Sequence, residues 1–455
     1  MNQTASDIGN NGSGARQDIK ITLVSFAYFF FVICSYYVIK PVRESLALEL
    51  GSENIPILNI LSMITLIGGN AVYSLVVGYF KRDIFIPFIT KFFVLCLLGF
   101  WVMFSFIMPI GTSTAEIQPV AQPLSVLKVI SITSYYLWVN LFSLMAVSMF
   151  WSFMNDVFTI NESKKLYAII GYGGLVGGLI GSALTSMLAK TIGTPNLFVL
   201  AIVLLYPSIW CMQYIHKNHY RPEGIPQAGN QASLAHPPRP WDGFMSVSKN
   251  FILILMALEM FFYTFSSTLF SQQFNHMVET ELGGVNERTA FVAAIYGKIN
   301  IVSLITQFFV TRLVMVFANP IYGLLMLNII QTAATLLMLK MPSLTIVSWT
   351  IIIRYALNYS TGRVLRELIY IPLDHEAKYQ GKGFIDTVVF RFGDGLSSVV
   401  IFGGLQLFSY GKWIDFSILL AMAAQFYVII KAANMYAERL HETGTDGVEP
   451  APAGQ

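Results

Sequence analysis

The residues of this sequence able to do chemistry are the few charged ones that interrupt its long apolar runs. Lys40, Arg43 and Glu44 close the first run in YYVIKPVRES. Glu259 stands alone in another, Lys298 lies in AAIYGKINIVS, and Arg354 sits in a third. Asp386, Arg391 and Asp394 share FIDTVVFRFGDGL, and Asn140 adds a buried amide. The densest stretch is NYSTGRVLRELIYIPLDHEAKYQGKGFIDT, with Arg363, Arg366, Glu367, Asp374, His375, Glu376, Lys378 and Lys382. A guanidinium or ammonium held away from water binds anions through charge-assisted hydrogen bonds. A carboxyl group in the same setting can carry a proton. A charge at mid-bilayer costs at least about 2.5–3.5 kcal/mol, so each one kept there needs a reason.

Every one of these residues also has a plainer reading. Lys40 can snorkel to an interface. Glu259 can be half of an interhelical ion pair, with Lys298 or Arg354 as its partner. Arg391 and Asp394, one turn apart, can neutralise each other. Lys378 and Lys382 fit a basic cytoplasmic anchor. The sequence carries no Walker loop, nucleophile elbow or zinc motif, so no catalytic residue, metal site or cofactor is expected. Cys34, Cys96 and Cys211 lie in apolar runs and read as buried hydrophobes. The glycines of GYGGLVGGLIG open an apolar run of membrane length, and the spacing of Gly173, Gly177 and Gly181 fits close helix packing.

What must position these residues follows from composition. Of the 455 residues 55% are hydrophobic and 12% charged, against about 25% charged in a soluble domain. Lipid must cover part of such a surface. The net charge of +3 is too small for nucleic-acid binding. Twelve runs are long enough to span a bilayer: near 21–41, 57–80, 85–109, 127–153, 166–189, 196–215, 250–272, 289–312, 320–339, 343–361, 383–408 and 414–433. The proline-rich interruption 216–249 splits them six and six. The fold class is therefore an all-α membrane protein with twelve transmembrane helices in two six-helix bundles, on the major-facilitator plan. The expected divisions are a disordered cytoplasmic tail (1–19), an N-terminal bundle (20–215), a cytoplasmic linker (216–249), a C-terminal bundle (250–436) and a cytoplasmic tail (437–455). Basic residues concentrate in the loops that face the cytoplasm when both termini do. The 363–382 stretch then lies on the cytoplasmic side. There it can form a gate with Asp156, Glu162, Lys164 and Lys165.

Three segments carry a resemblance. VIKPVRESLALELGSENIPIL, FWSFMNDVFTINESKKLYAIIGYGG and RELIYIPLDHEAKYQGKGFIDTV resemble the nucleotide transporters of the ATP:ADP antiporter family and its major-facilitator-like bacterial relatives. The resemblance implies that Lys40 and Arg43 are the basic pair of span 1, followed by Glu44, with Arg43 important for transport. It implies that Arg366 and Glu367 are the basic-acidic pair ahead of Tyr370. The sequence departs from the family where acids of spans 4 and 7 give way to Val139 and Asn140, and to Tyr263, with Glu259 one turn earlier. A basic residue of span 11 is replaced by Asp394.

The reading is a non-enzymatic, monomeric secondary transporter in the bacterial cytoplasmic (inner) membrane. It moves a small organic anion, such as a nucleotide or another phosphorylated or carboxylated metabolite, by alternating access. Lys40, Arg43, Asn140, Lys298, Arg354 and Arg366 are its expected binding residues, with Arg43 and Arg366 drawing cargo from two ends of one cavity. Glu44, Glu259, Glu367, Asp386, Arg391 and Asp394 are expected to hold protons or form ion pairs. One alternative is a proton-coupled carrier of another solute, such as a siderophore-like chelator, with Glu259 or Asp386 as the proton site. The other is a membrane scaffold or sensor that transports nothing, which would have no need of cations within its spans.

Overall fold

A computed structural model describes residues 3–79, 82–110, 125–219, 242–310, 320–370, 373, 380–408 and 410–442. All of its regular elements are helical. In chain order they are α1 (Gln3–Ala47), α2 (Ile55–Tyr79), α3 (Arg82–Val102), α4 (Val126–Val157), α5 (Ile160–Ile192), α6 (Asn196–His219) and α7 (Asp242–Lys249). Then follow α8 (Phe251–Glu281), α9 (Val285–Ile305), α10 (Pro320–Lys340), α11 (Leu344–Leu357), α12 (Arg363–Tyr370), α13 (Phe390–Leu407) and α14 (Lys412–Glu442). Ten described helical stretches are long and apolar enough to cross a membrane. α2 and the continuous run of α11, a π-turn at Asn358–Gly362 and α12 are further long helical stretches among the described residues, consistent with the twelve expected.

Two boundaries differ from the sequence reading. The disordered tail expected over 1–19 is drawn into α1, which begins at Gln3. Extending an existing helix adds one hydrogen bond per residue without a new nucleus. Within the 216–249 linker, α6 reaches His219, and α7 forms once the prolines end at Pro240. Ser246 and Val247 of α7 are buried, which gives that short helix a core-facing side. The proline-rich part between, like Asp374, His375, Glu376 and Lys378, lies outside the described residues.

The chain divides into two compact units. Unit 1 takes Met1–Leu50, Ile64–Ser233 and Leu282–Gly297. Unit 2 takes Gly51–Met63, Leu234–Glu281 and Lys298–Gln455. Unit 1 thus includes Leu282–Gly297 from the second half of the sequence, and unit 2 includes Gly51–Met63 from the first. In unit 1, α5 lies on α1 through the glycine face read from the sequence. A Cβ built on Gly177 would stand 2.5 Å from the Phe30 carbonyl oxygen, and one on Gly181 2.5 Å from that of Cys34. Tyr135 of α4 donates to the Ile39 carbonyl at 2.9 Å, and Ser35 of α1 to that of Ala201 in α6 at 2.9 Å. α1 thus forms the centre of this unit. Gly51, at φ +92°, turns the chain away after α1 in a conformation that disfavours side chains.

In unit 2, α8 is the central helix, packing against α14, α13 and α11. Its Leu253, Met256 and Met260 share an apolar core with Leu327 of α10, Ile369 of α12 and Ile429 of α14. Among the described residues π-turns occur here at Thr306–Val310 after α9, at Asn358–Gly362 and at Ile385–Val389 ahead of α13. Such turns shift the register of the side chains that follow and recur at functional sites.

Candidate functional site

Unit 1 places two half-buried cations on one face of α1. Lys40 and Arg43 are three residues apart and so share a helix face. The Arg43 guanidinium donates from Nη1 to Asn140 Oδ1 of α4 and from Nη2 to its neighbour Glu44. It lies 5.0 Å from the Tyr136 ring centroid, and its Nε is buried with no hydrogen-bond partner. Lys40 Nζ stands 3.9 Å from the Tyr296 ring centroid, 5.4 Å from that of Tyr37 and 5.8 Å from that of Tyr36. Tyr296 in turn donates to Glu44 at 3.3 Å. The amide oxygen of Asn140 thus accepts from Arg43 across the α1–α4 contact. Two cations thus face one carboxylate in a setting walled by tyrosines, a local excess of positive charge.

Unit 2 holds the second cluster. Arg366 of α12 bonds the Glu259 carboxylate of α8 from Nη1, at 3.1 and 3.5 Å, and donates from Nη2 to Asn358 of the π-turn. Glu259 is 3% exposed and Arg366 9%. The pair that was expected between Glu259 and Lys298 or Arg354 is therefore made with Arg366. Gly362 lies beside the pair, where a Cβ would stand 3.2 Å from the Leu357 carbonyl oxygen. Around the pair lies a small cavity lined also by Tyr263, Asn328, Gln331 and Gln425. Arg354 is buried beside it, donating to Ser266 at 2.9 Å and Ser267 at 3.3 Å, with its guanidinium 4.2 Å from the Phe270 ring centroid. Its partners are hydroxyls and rings, so its charge is solvated but not neutralised.

The remaining expected residues do not join these clusters. Lys298 is exposed beside Trp349, at 5.7 Å. Glu367 faces away from Arg366 and pairs with Lys382 at 2.6 Å. Asp386 is exposed. Arg391 and Asp394 form no ion pair among the described residues: Asp394 accepts from Thr268 at 2.8 Å, and Arg391 lies over Phe390. Of the expected gate, Glu162 caps α5, accepting from the Thr159 backbone at 2.8 Å while its own N–H donates to Thr159 Oγ1. Lys165 is exposed and Asp156 half-buried, and the Lys164 side chain lies outside the described set.

Two further clusters went unread in the sequence. In unit 1, Glu49 accepts from Lys128 at 3.1 Å and from Arg288 at 3.3 Å, while Thr289 donates to Ser45 at 2.7 Å. In unit 2, His276 stacks on Tyr410 at 3.6 Å, and Gln272 bonds both Tyr410 at 2.5 Å and the Ser52 carbonyl at 2.7 Å. Burial pushes the Tyr410 phenol above its ordinary range. These contacts join residues from 79 to 244 positions apart, and no local pattern announces them.

A helical chain with this many membrane-length apolar helices is a multi-pass membrane protein, and its fold is that of the major-facilitator transporters. The D-xylose-proton symporter structure superimposes with a TM-score of 0.59 at 12% identity, over 91% of this chain and 97% of that one. Residues 15–221 match the family described as TLC ATP/ADP transporter, which bears out the resemblance; the first two of the three segments lie within the match. The ADP,ATP carrier protein 1 of Chlamydia muridarum is 25% identical over 57% of this chain and 55% of its own length. The ADP,ATP carrier protein 2 of Chlamydia pneumoniae is 23% identical over 84% of this chain and 82% of its own. The chain thus spans about half the length of the first of these curated relatives.

Proposed function

We propose that this protein is a secondary active transporter of an organic anion across a bacterial cytoplasmic membrane, working by alternating access, with nucleotides the first class of cargo to test. The observation that carries the reading is the Lys40–Arg43 cluster, which lies within the region matching the ATP/ADP transporters. Two cations are held there inside a membrane helix against the single carboxylate of Glu44. Arg43 Nε, buried and without a partner, is a donor available to an anionic oxygen. The tyrosine walls keep water away and strengthen that interaction. Arg366 supplies a second guanidinium in unit 2, and Arg354 adds positive charge behind it. No step of this function makes or breaks a covalent bond in the cargo.

Arg43→Ala tests the reading. Loss of a charge-assisted hydrogen bond costs about 1.5–3 kcal/mol, or about ten- to a hundredfold in affinity. Cells expressing the protein should accumulate radiolabelled ATP or ADP, and cells with equal amounts of the variant in their membranes should show that loss in apparent affinity. Equal uptake by both would remove Arg43 from the binding site.

A further inference from the structure

Of the two cations on the α1 face, Lys40 is the less committed. Arg43 is tied to Asn140 and Glu44. Lys40 makes neither an ion pair nor a hydrogen bond among the described residues, and ring faces hold its ammonium instead. The nearest ring is that of Tyr296 in α9, with its centroid 3.9 Å from Nζ; Tyr36 and Tyr37 of α1 supply the other two. The three rings form a box. Tyr37 stands at 84° to Tyr296 with centroids 6.2 Å apart, and at 85° to Tyr36 with centroids 5.6 Å apart. The Tyr296 hydroxyl donates to Glu44, which fixes that ring in place. Lys40 and all three tyrosines are half-buried, so a ligand reaches them without any helix unfolding.

A ring face and an anion compete for the same ammonium. The ring attracts it through a quadrupole, whereas a phosphate or carboxylate oxygen offers a full charge and a charge-assisted hydrogen bond. An anion arriving at this face of α1 therefore draws Nζ off the Tyr296 ring. Lysine suits such a move, because its ammonium is a point charge on a flexible four-carbon stem. The faces it leaves are aromatic and partly screened from water. A flat heterocycle stacks on faces of that kind. An aliphatic or wholly inorganic anion takes the ammonium away and puts nothing in its place.

We propose that Tyr36, Tyr37 and Tyr296 are the specificity element of this site: they hold the Lys40 ammonium until an anion takes it, and then stack the flat ring attached to that anion. Lys40 is the mobile ligand of the charged part of the cargo. Arg43, held by Asn140 and Glu44, is the fixed one. The same box thus favours an anion that carries a heterocycle over an anion of equal charge that does not. No covalent bond is made and no proton is exchanged. The inference rests on the transport reading above, because it deepens the site named there.

ATP and inorganic tripolyphosphate share a triphosphate chain, and only ATP has a ring. Calorimetry on the full-length protein in detergent gives the affinity of each. Wild type should bind ATP about tenfold more tightly, the gain expected of one base stacked on an aromatic side chain. Tyr296→Leu should split the two ligands. ATP should lose about that tenfold, while tripolyphosphate binds as well as before or better, because the ammonium has no ring to leave. A merely structural role for Tyr296 would weaken both ligands together, and that result would overturn the inference. Tyr296→Phe keeps the ring and should keep the wild-type ratio. Tyr37→Leu removes the neighbouring wall and should shift the ratio the same way, which keeps the test open if Tyr296→Leu does not fold. Equal affinities for ATP and tripolyphosphate in wild type would overturn the inference and leave the transport reading standing, whether or not the variants fold. An unchanged ratio in the leucine variants would do the same. Binding of neither ligand to folded wild type would overturn both.

Discussion

Arg366→Ala is expected to destabilise the protein by about 3–5 kcal/mol, the usual cost of removing one partner from a buried ion pair. The substitution leaves Glu259, 3% exposed, with Gln425 as its one remaining donor among the described contacts. It also strips Asn358 of its guanidinium partner in the π-turn. The loss should appear as a large fall in the midpoint of thermal unfolding of the detergent-solubilised protein. The double substitution Glu259→Met with Arg366→Met removes both charges and keeps apolar volume, and replacements of that kind are often neutral or stabilising. It should recover most of the lost stability. An Arg366→Ala protein that melts with wild type would mean that the pair contributes nothing to the fold. Arg366 is thus a structural residue as well as a proposed binding residue, and a transport assay on the single variant could not separate the two roles.

Gly177→Leu should be similarly severe for a different reason. The glycine brings α5 against α1 so closely that even a Cβ would meet the Phe30 carbonyl at 2.5 Å and the Cys34 amide at 3.1 Å. Those neighbours are backbone and cannot rotate away, so the helices must separate. Overpacking of this kind costs about 1–3 kcal/mol, and more where relaxation is blocked. Gly171→Ala, six residues earlier on the same helix, provides the control. A Cβ there meets nothing within 4 Å, and exchanging glycine for alanine inside a helix gains about 0.5–1 kcal/mol. Opposite shifts in unfolding temperature are therefore expected from the two variants. A tolerated leucine at 177 would contradict the close α1–α5 contact.

The spans and the glycine face were legible because both rest on local periodicity and length. Gly173, Gly177 and Gly181 lie four apart whatever their partner, and only the identity of that partner, α1, needed the structure. Arg43 was legible as a buried cation, and its partner Asn140 was singled out on its own account. The partner of Glu259 was not legible. Arg366 lies 107 residues away, and an interhelical ion pair leaves no periodic trace in either helix. The carboxamides Asn328, Gln331 and Gln425 are single polar residues in apolar helices, and that was a signal that composition diluted. Glu162 shows the reverse case. Thr159-x-x-Glu162 ahead of an apolar run is a capping-box pattern, and the structure uses the glutamate for that cap.

The central claim, that this chain moves nucleotide-like anions through a membrane, is tested most directly by counterflow in proteoliposomes. Vesicles containing the purified protein are loaded with unlabelled ADP and diluted into a trace of radiolabelled ATP. The account predicts rapid uptake of label into loaded vesicles, a transient overshoot, and loss of both in protein-free vesicles. Entry of label no faster than into protein-free vesicles, from protein shown to be folded and correctly inserted, would contradict it.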